Sequence, residues 1–177
     1  SVTTPAAVYL FEVNDTQTKL SNDRKKIFHT FVAKLLFVSK RGRPDIQVAI
    51  AFLSTRVMEP DEDDWKKLVR LIKYINGCID IVLTLTVNDF SSIKWWVDTS
   101  YAPHQNCRSH TGGTMSMGKG SIFSTSCKQK INARSSTEAE LIGLNDVTGQ
   151  ILWTRNFLID QGYDIKTSTV FQDNKSA

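Results

Sequence analysis

Three carboxylates stand where clustered acids could bind metal. Asp98 ends the strand-like run "SSIKWWVD", Asp173 ends the strand-like run "STVFQD", and Glu140 lies in the first turns of the helical stretch between them. If that helix crosses over so that the strands run parallel and close together, both aspartates emerge at the sheet edge where open α/β sheets place their sites. Clustered carboxylates repel each other and need cations, and hard oxygen ligands select Mg²⁺ or Mn²⁺. Two such ions about 4 Å apart can clamp the attacking and leaving oxygens of a phosphoryl transfer.

Each acid also has a plainer explanation. Asp98 could cap a turn, Glu140 could be a solvated helix residue, and Asp173 in "QDN" could be a turn former. Because these explanations hold for each residue separately, the spacing alone leaves both interpretations open.

Three helical segments precede these strands. Apolar residues recur at helical spacing after Lys26, and a second helix starts at Pro44, a residue suited to a first turn. A third helix follows the acidic run "EPDEDDW" (59–65) and ends near Gly77, which suits the position after a helix. Helix capping explains that acidic run better than metal binding does, because carboxylates favour the positive end of a helix dipole.

After Gly77 the pattern becomes strand-like. We predict strands over 79–87 and 91–98, a hairpin of 114–118 with 121–129, a helix over 135–162 and a last strand over 168–173. Ser135 and Glu138 fit the S-x-x-E capping box of that helix. A helix between strands indicates a crossover and a mixed sheet, so the predicted fold class is α/β (α+β), in two units that meet near residues 78–90.

Composition places the chain among ordinary globular proteins. It has 177 residues, of which 41% are hydrophobic, and a formal charge of +4, which suits a polyanionic partner but is common. Its cysteines, Cys78, Cys107 and Cys127, are odd in number and far apart, which argues against a disulfide framework or a CxxC zinc site. The sequence shows neither a signal-peptide pattern nor an apolar run of about 18 residues. Both ends stop in mid-pattern, so we expect a fragment of a longer protein.

Several phrases together resemble one known family. "SSTEAEL" (135–141), between "KQKINAR" and "ILWTRNFL", is similar to the ribonuclease H region of copia-type retrotransposon polyproteins, as is the terminal "QDNKSA". "RPDIQVAIAFL" (43–53) and "DDWKKLVRLIKYINGC" (63–78) resemble the last helix-rich stretch of the reverse transcriptase in that family. The resemblance covers nearly the whole chain from about Thr4 onward, and the combination of phrases is specific.

The resemblance implies a ribonuclease H-like mixed sheet with a crossover helix, which cleaves the RNA strand of RNA–DNA hybrids with two Mg²⁺ or Mn²⁺ ions. By position, the catalytic and metal-binding acids of the family match Asp98, Glu140 and Asp173, which leaves Glu138 for the capping box. The family often reads D-x-D after its first strand, whereas Ser100 stands at the second acid's place here. A fourth acid and a last helix of the family would lie beyond residue 177, so we expect a ribonuclease H-like domain truncated at its C-terminus.

Basic and hydroxyl side chains near these acids are predicted to bind the phosphate backbone of a nucleic acid. The predicted residues are Arg108, Lys119, Lys128, Lys130, Arg134, Ser135 and Ser136. Such contacts give affinity that is independent of sequence and sensitive to salt, while RNA is recognised by its 2′-hydroxyls. For the two serines, helix capping is the plainer explanation.

The same resemblance implies an organisation and a set of partners. We expect a loosely packed lead-in segment over 1–25, a helical reverse-transcriptase thumb/connection-like unit over 26–88, and the ribonuclease H-like domain over 89–177. The expected partners are an RNA–DNA hybrid and the upstream reverse-transcriptase fingers and palm of the same polyprotein, with no membrane and no small-molecule cofactor. The expected location is intracellular, in the cytoplasm, a virus-like particle or the nucleus, and not secreted.

Two other classes of protein share parts of this pattern, and an inactive remnant of a decayed element is a third alternative. A non-catalytic hybrid-binding remnant or connection module of a retroelement polyprotein would keep the fold without needing the acids, which are intact here. An integrase or resolvase acting on duplex DNA would share the metal-binding acids but not the "SSTEAE" and "RPDI" phrases. The substrate that is cleaved separates these alternatives.

Overall fold

The computed structural model describes residues 2–174, and the chain divides into two compact units between Val82 and Leu83. The first unit is helical and the second contains a sheet with one helix packed on it. No helix within the described residues is long and apolar enough to cross a bilayer. The thumb/connection-like identity of the helical unit stays a prediction.

The helical unit contains three α-helices and one short 3₁₀ helix. They are α1 (Asn22–Arg41), the 3₁₀ helix (Pro44–Ile46), α2 (Gln47–Ser54) and α3 (Glu62–Gly77). The apolar stripes predicted from the sequence face one another, and the fully buried side chains at their centre include Phe28, Ile46, Ile50, Leu53, Leu68 and Leu71. Pro44 stands at the start of the 3₁₀ helix, where a missing N–H costs nothing.

The lead-in segment packs more tightly than the sequence suggests. Leu10 and Leu20 are buried in the core of the helical unit, and Phe11 packs edge-on against Phe52 with ring centroids 5.6 Å apart. Lys67 donates to the carbonyl of Glu12. The expectation of a loosely packed lead-in over 1–25 is therefore wrong for these residues, because apolar residues too sparse to show a period still fill the core.

The acidic run before α3 caps that helix, as predicted. Asp61 accepts hydrogen bonds from the backbone N–H groups of Asp63 and Asp64, and the Asp64 carboxylate accepts from the Asp61 N–H in return. Both carboxylates are buried and both pair with Arg56. Burial, the largest influence, raises the pKa of Asp64 despite its bonds to Asp61 and Arg56.

The second unit is a four-stranded mixed sheet covered by one long helix. Its elements are β1 (Ser92–Ser100), β2 (His110–Ser116), β3 (Phe123–Lys128), α4 (Ser136–Asp160) and β4 (Thr167–Phe171). The strand order is β3-β2-β1-β4, with β1 and β4 parallel and the other pairs antiparallel. Ile93, Trp95 and Val97 alternate along β1 onto one face and are buried in a core with Val147 and Ile151 of α4.

The strand predicted over 79–87 does not form. Residues 81–87 have no regular structure, and the apolar side chains of Ile79, Val82 and Leu85 are more than half exposed. The N–H of Thr86 donates to the carbonyl of Lys119, and that of Asn88 donates to Met117. The segment thus lies along the β2–β3 turn with these bonds but without a partner strand, so its alternating sequence is not matched by a ladder.

Candidate metal centre

The parallel pairing of β1 and β4 brings two aspartates to one end of the sheet. Trp96 pairs with Phe171, and Asp98 and Asp173 each follow two residues later in the chain. Glu140 reaches the same place from the second turn of α4. One carboxylate oxygen from each of the three residues lies within 4.8 Å of the others. The structure therefore brings together all three acids named from the sequence.

The two glutamates of "STEAEL" face different surroundings. Ser135 Oγ accepts from the Glu138 N–H at 3.1 Å, and the Glu138 carboxylate accepts from the backbone N–H of Arg134 at 2.7 Å. Glu138 is thus used at the N-terminus of α4. Glu140, two residues later, lies on the sheet side of the helix and is only 6% exposed.

Neighbouring polar groups orient two of the acids. Asp98 accepts from the backbone N–H of Thr99 at 2.8 Å, and Glu140 accepts from Gln172 Nε2 at 3.0 Å. Within residues 2–174, no lysine, arginine or histidine makes an ion pair with Asp98, Glu140 or Asp173. A buried carboxylate beside two others is costly without a positive charge.

This donor set suits a hard divalent cation. All three groups offer carboxylate oxygens, which are the ligands that Mg²⁺ and Mn²⁺ prefer over the nitrogen and sulfur ligands of zinc or copper. Asp98 and Asp173 are exposed while Glu140 is buried, so the cluster has one rigid inner ligand and an open outer side. A substrate could approach a bound cation from that outer side.

Several predicted phosphate-binding residues lie at the acid end of the sheet. Lys128, the last residue of β3, pairs with His110 of β2. His110 lies two residues from Gly112, which pairs with Asp98 of β1. Lys130, Arg134, Ser135 and Ser136 are all exposed in the short connection from β3 into α4. Arg108, in the loop before β2, points its guanidinium at the Gln129 carbonyl at 3.4 Å.

Lys119 lies elsewhere. Ser116 pairs with Lys94, four residues before Asp98 on β1, and Lys119 follows in the turn beyond Ser116. At about 3.4 Å per residue, this turn is at the opposite end of the sheet from the acids. The structure does not bring Lys119 to the other predicted phosphate-binding residues.

A buried histidine pair fastens the loop that follows β1. His104 Nε2 lies 2.9 Å from His110 Nδ1, and His110 Nε2 lies 2.7 Å from Ser126 Oγ of β3. Burial lowers the pKa of His110 to about 4. Burial, with charge repulsion between the protonated ring and the protonated His110 and Lys128, lowers the pKa of His104 to about 4. Both rings are therefore neutral at pH 7, and His110 is part of this pair rather than of the acid cluster.

The histidine pair predicts a loss of stability in acid. The folded pKa values lie near 4 and the ordinary value is about 6.5, so the unfolded chain binds more protons between these pH values. The free energy of unfolding of the sheet unit should be highest above pH 6.5 and fall towards pH 4, by up to roughly 3 kcal/mol for each histidine. In His104→Gln/His110→Gln the slope over this window should be shallower. An unchanged slope, or NMR titration midpoints of both rings near 6.5, would contradict this prediction.

The sequence did not identify three polar residues that support the site. Gln172 bonds to Glu140, and the buried Gln129 donates to Thr111 Oγ1 and to the carbonyl of Ala139, which ties the sheet to the first turns of α4. Thr99 supplies the backbone N–H for Asp98. For two of them the sequence signal is adjacency, because Gln172 precedes Asp173 and Thr99 follows Asp98, whereas Gln129 is next to none of the acids in the sequence.

Comparison with known proteins finds relatives among transposon polyproteins. The retrovirus-related Pol polyprotein from transposon TNT 1-94 of Nicotiana tabacum is 28% identical over 163 residues, 92% of this chain and 12% of that protein. The retrovirus-related Pol polyprotein from transposon RE2 of Arabidopsis thaliana is 30% identical over 142 residues, 76% of this chain and 9% of that protein. The chain is a relative of copia-like retrotransposon Pol polyproteins. This confirms the resemblance seen in the "SSTEAEL" and "RPDI" phrases.

Other comparisons set the limits of this relationship. The secreted RxLR effector protein 161 of Plasmopara viticola is 26% identical over 123 residues, 69% of this chain and 87% of that protein. No protein-family model and no solved structure matches the chain. The chain spans only about a tenth of the length of the Pol polyproteins above, which are 12% and 9% covered.

Proposed function

We propose that the chain is the ribonuclease H part of a retrotransposon Pol polyprotein and hydrolyses the RNA strand of RNA–DNA hybrids. The sheet unit would be a ribonuclease H-like domain and the helical unit its thumb/connection-like neighbour. The observation that carries the proposal is the convergence of Asp98, Glu140 and Asp173 from three separate elements to within 4.8 Å, without a cationic partner among the described residues. The relationship to Pol polyproteins supports it independently.

The three acids would hold two divalent ions, with Mg²⁺ or Mn²⁺ as the fitting cations. When bound, such ions supply an acidified water nucleophile and neutralise the charge that develops on the leaving oxygen of the phosphodiester. The protein's own contribution is to hold the ligands rigidly. Gln172 fixes the orientation of Glu140, the Thr99 N–H fixes that of Asp98, and both strands end in a packed sheet.

Substrate binding would use the positive surface between β3 and α4. Lys128, Lys130 and Arg134 would contact phosphates on either side of the scissile bond, since they lie at the acid end of the sheet. Such contacts do not read bases, so discrimination for RNA would come from its 2′-hydroxyls and from the minor-groove shape of the hybrid. The upstream fingers and palm of the polyprotein would deliver the hybrid.

A cleavage assay on three duplexes tests the proposal. With Mg²⁺ or Mn²⁺, the purified chain is expected to cut the RNA strand of an RNA–DNA hybrid, leaving a 5′-phosphate and a 3′-hydroxyl, and to leave RNA duplex and DNA duplex intact. EDTA should abolish the cleavage, and higher salt should weaken hybrid binding. Cleavage of DNA duplex in preference to hybrid would instead favour an integrase-like or resolvase-like nuclease. The same assay is run on a longer piece of the polyprotein that continues past residue 177, and hybrid binding without cleavage by both chains at any metal concentration would favour a non-catalytic binding module.

A further inference from the structure

A glycine in the middle of α4 allows that helix to approach β1 unusually closely. Glycine lowers helix stability relative to alanine, so its presence at Gly143 calls for a reason. A Cβ atom at this position would fall well inside 3.0 Å of Thr99 Oγ1, a separation that real Cβ atoms do not show, and 3.5 Å from Thr111. At Gly149 of the same helix, an added methyl group would meet no atom within 4 Å, so the restriction is particular to Gly143.

The two residues in contact are the neighbours of two of the acids. Thr99 directly follows Asp98 on β1, and Gly143 lies about one helical turn after Glu140, on the same face of α4. Thr99 Oγ1 is buried and has no hydrogen-bond partner within the described residues, so its position is set by packing. This helix–strand contact therefore lies directly beside both Asp98 and Glu140.

We propose that Gly143 and Thr99 form a size-matched positioning pair that sets the distance between the Glu140 and Asp98 carboxylates. This inference rests on the proposed metal-dependent function of the same site. Threonine is stiff at χ1, so Thr99 cannot easily turn its hydroxyl away from residue 143. A rotation that moved the hydroxyl away would bring the threonine methyl group against the added Cβ atom instead. An added methyl at residue 143 must push α4 off β1 instead. Metal ligands tolerate displacements of only about 0.2 Å, so the shift would spoil the carboxylate spacing.

A double-mutant cycle measured by Mn²⁺ affinity tests the pair. Gly143→Ala is expected to weaken Mn²⁺ binding by roughly 10- to 100-fold, the range seen when residues that support metal ligands are changed. Gly143→Ala/Thr99→Ala removes the obstructing hydroxyl and methyl and should recover most of the affinity. Gly143→Ala/Thr99→Val keeps the bulk and should not recover it. Thr99→Ala alone supplies the fourth corner of the cycle, and isothermal titration calorimetry on the full chain gives each dissociation constant.

Gly149→Ala is the matched control for the effect of alanine on the helix. It makes the same change in the same helix where no atom interferes, so it should raise the Tm slightly and leave Mn²⁺ affinity as it is. If Gly143→Ala binds Mn²⁺ as tightly as the parent chain, the positioning inference is wrong. It is also wrong if the Gly143→Ala/Thr99→Ala variant folds but binds Mn²⁺ as weakly as Gly143→Ala does.

Failure of the proposed function gives a different result from failure of this inference. If the parent chain binds no Mn²⁺, the metal site itself is absent. The same cycle read by thermal unfolding then still tests the pair. In that readout Gly143→Ala should lower the Tm and Thr99→Ala should restore it, and additive effects of the two substitutions would overturn the pairing. If Gly143→Ala alone fails to fold, the Gly143→Ala/Thr99→Ala variant still tests the pair, because it should fold when the collision with Thr99 is removed.

Discussion

Replacing Glu140 by glutamine is expected to reduce hybrid cleavage at least about 100-fold. Changes to residues that merely support metal ligands already cost 10- to 100-fold, and Glu140 would be the buried, central ligand. Glutamine has the same shape and can keep the bond to Gln172 by turning its amide, so the substitution removes charge and little else. Mn²⁺ affinity should fall together with the rate constant of cleavage.

The stability of this variant distinguishes loss of a ligand from loss of the fold. Without metal, Glu140→Gln removes a buried negative charge from beside two others, so its Tm should equal or exceed that of the parent chain. Glu138→Gln is the control on the same helix, because a glutamine oxygen can still accept from the Arg134 N–H. If Glu140→Gln cleaves the hybrid at the full rate, or if Glu138→Gln loses cleavage, then Glu140 is not the metal ligand that we propose.

The sequence predicted β1 well because strand burial is a local property. Its period-two alternation placed Ile93, Trp95 and Val97 on one face, and all three are at most 2% exposed. Trp96 falls on the other face, is 41% exposed and stacks on Phe171 with ring centroids 5.3 Å apart. Core packing therefore accounts for Trp95, whereas Trp96 lies on the face of β1 that carries Asp98.

The same kind of pattern failed over 79–87 for a physical reason. A strand needs a neighbouring backbone to pair with, and alternation says nothing about whether one is present. Here the neighbour is a turn in which Gly118 and Gly120 let the Thr84–Thr86 backbone come so close that side chains at either position would collide with it. Two backbone hydrogen bonds, and one from the Lys119 N–H to Thr86 Oγ1, replace the expected ladder.

The acids of the candidate site were predictable and their supports were not. Asp98, Glu140 and Asp173 were identified by their positions at element ends and by the family phrases, both of which are properties of the chain. Gln172, Gln129 and the contact of Thr99 with Gly143 depend on how closely α4 approaches the sheet. That distance follows from packing between distant segments, which no local pattern records.

Replacing Arg56 by methionine is expected to destabilise the helical unit by about 3 to 5 kcal/mol. Arg56 bonds through Nε to both carboxylate oxygens of Asp64 and through Nη2 to Asp61, and the two carboxylates are only 2% and 3% exposed. Methionine preserves much of the packing volume but leaves two negative charges buried side by side. The penalty comes mainly from those stranded charges, because both also cap α3 and cannot move into water.

Hydrogen exchange measured on α2 and α3 reports this unit separately from the sheet unit. Arg24→Met is the control, because Arg24 pairs with Glu62 at a site where both side chains are about a third exposed. Its loss, including the stacking of Arg24 on Trp65, should cost only about 1 to 2 kcal/mol. A loss of equal size in the two variants would contradict the difference in burial between the two ion pairs.

The effect of Arg56→Met should also shrink in acid. Asp64 already has a raised pKa, so in this variant the folded state binds a proton more tightly than the unfolded chain does. The stability of the variant should therefore rise as the pH falls from 7 towards the ordinary aspartate pKa of about 4. A loss that is the same at both pH values would mean that Arg56 acts through packing and not through charge.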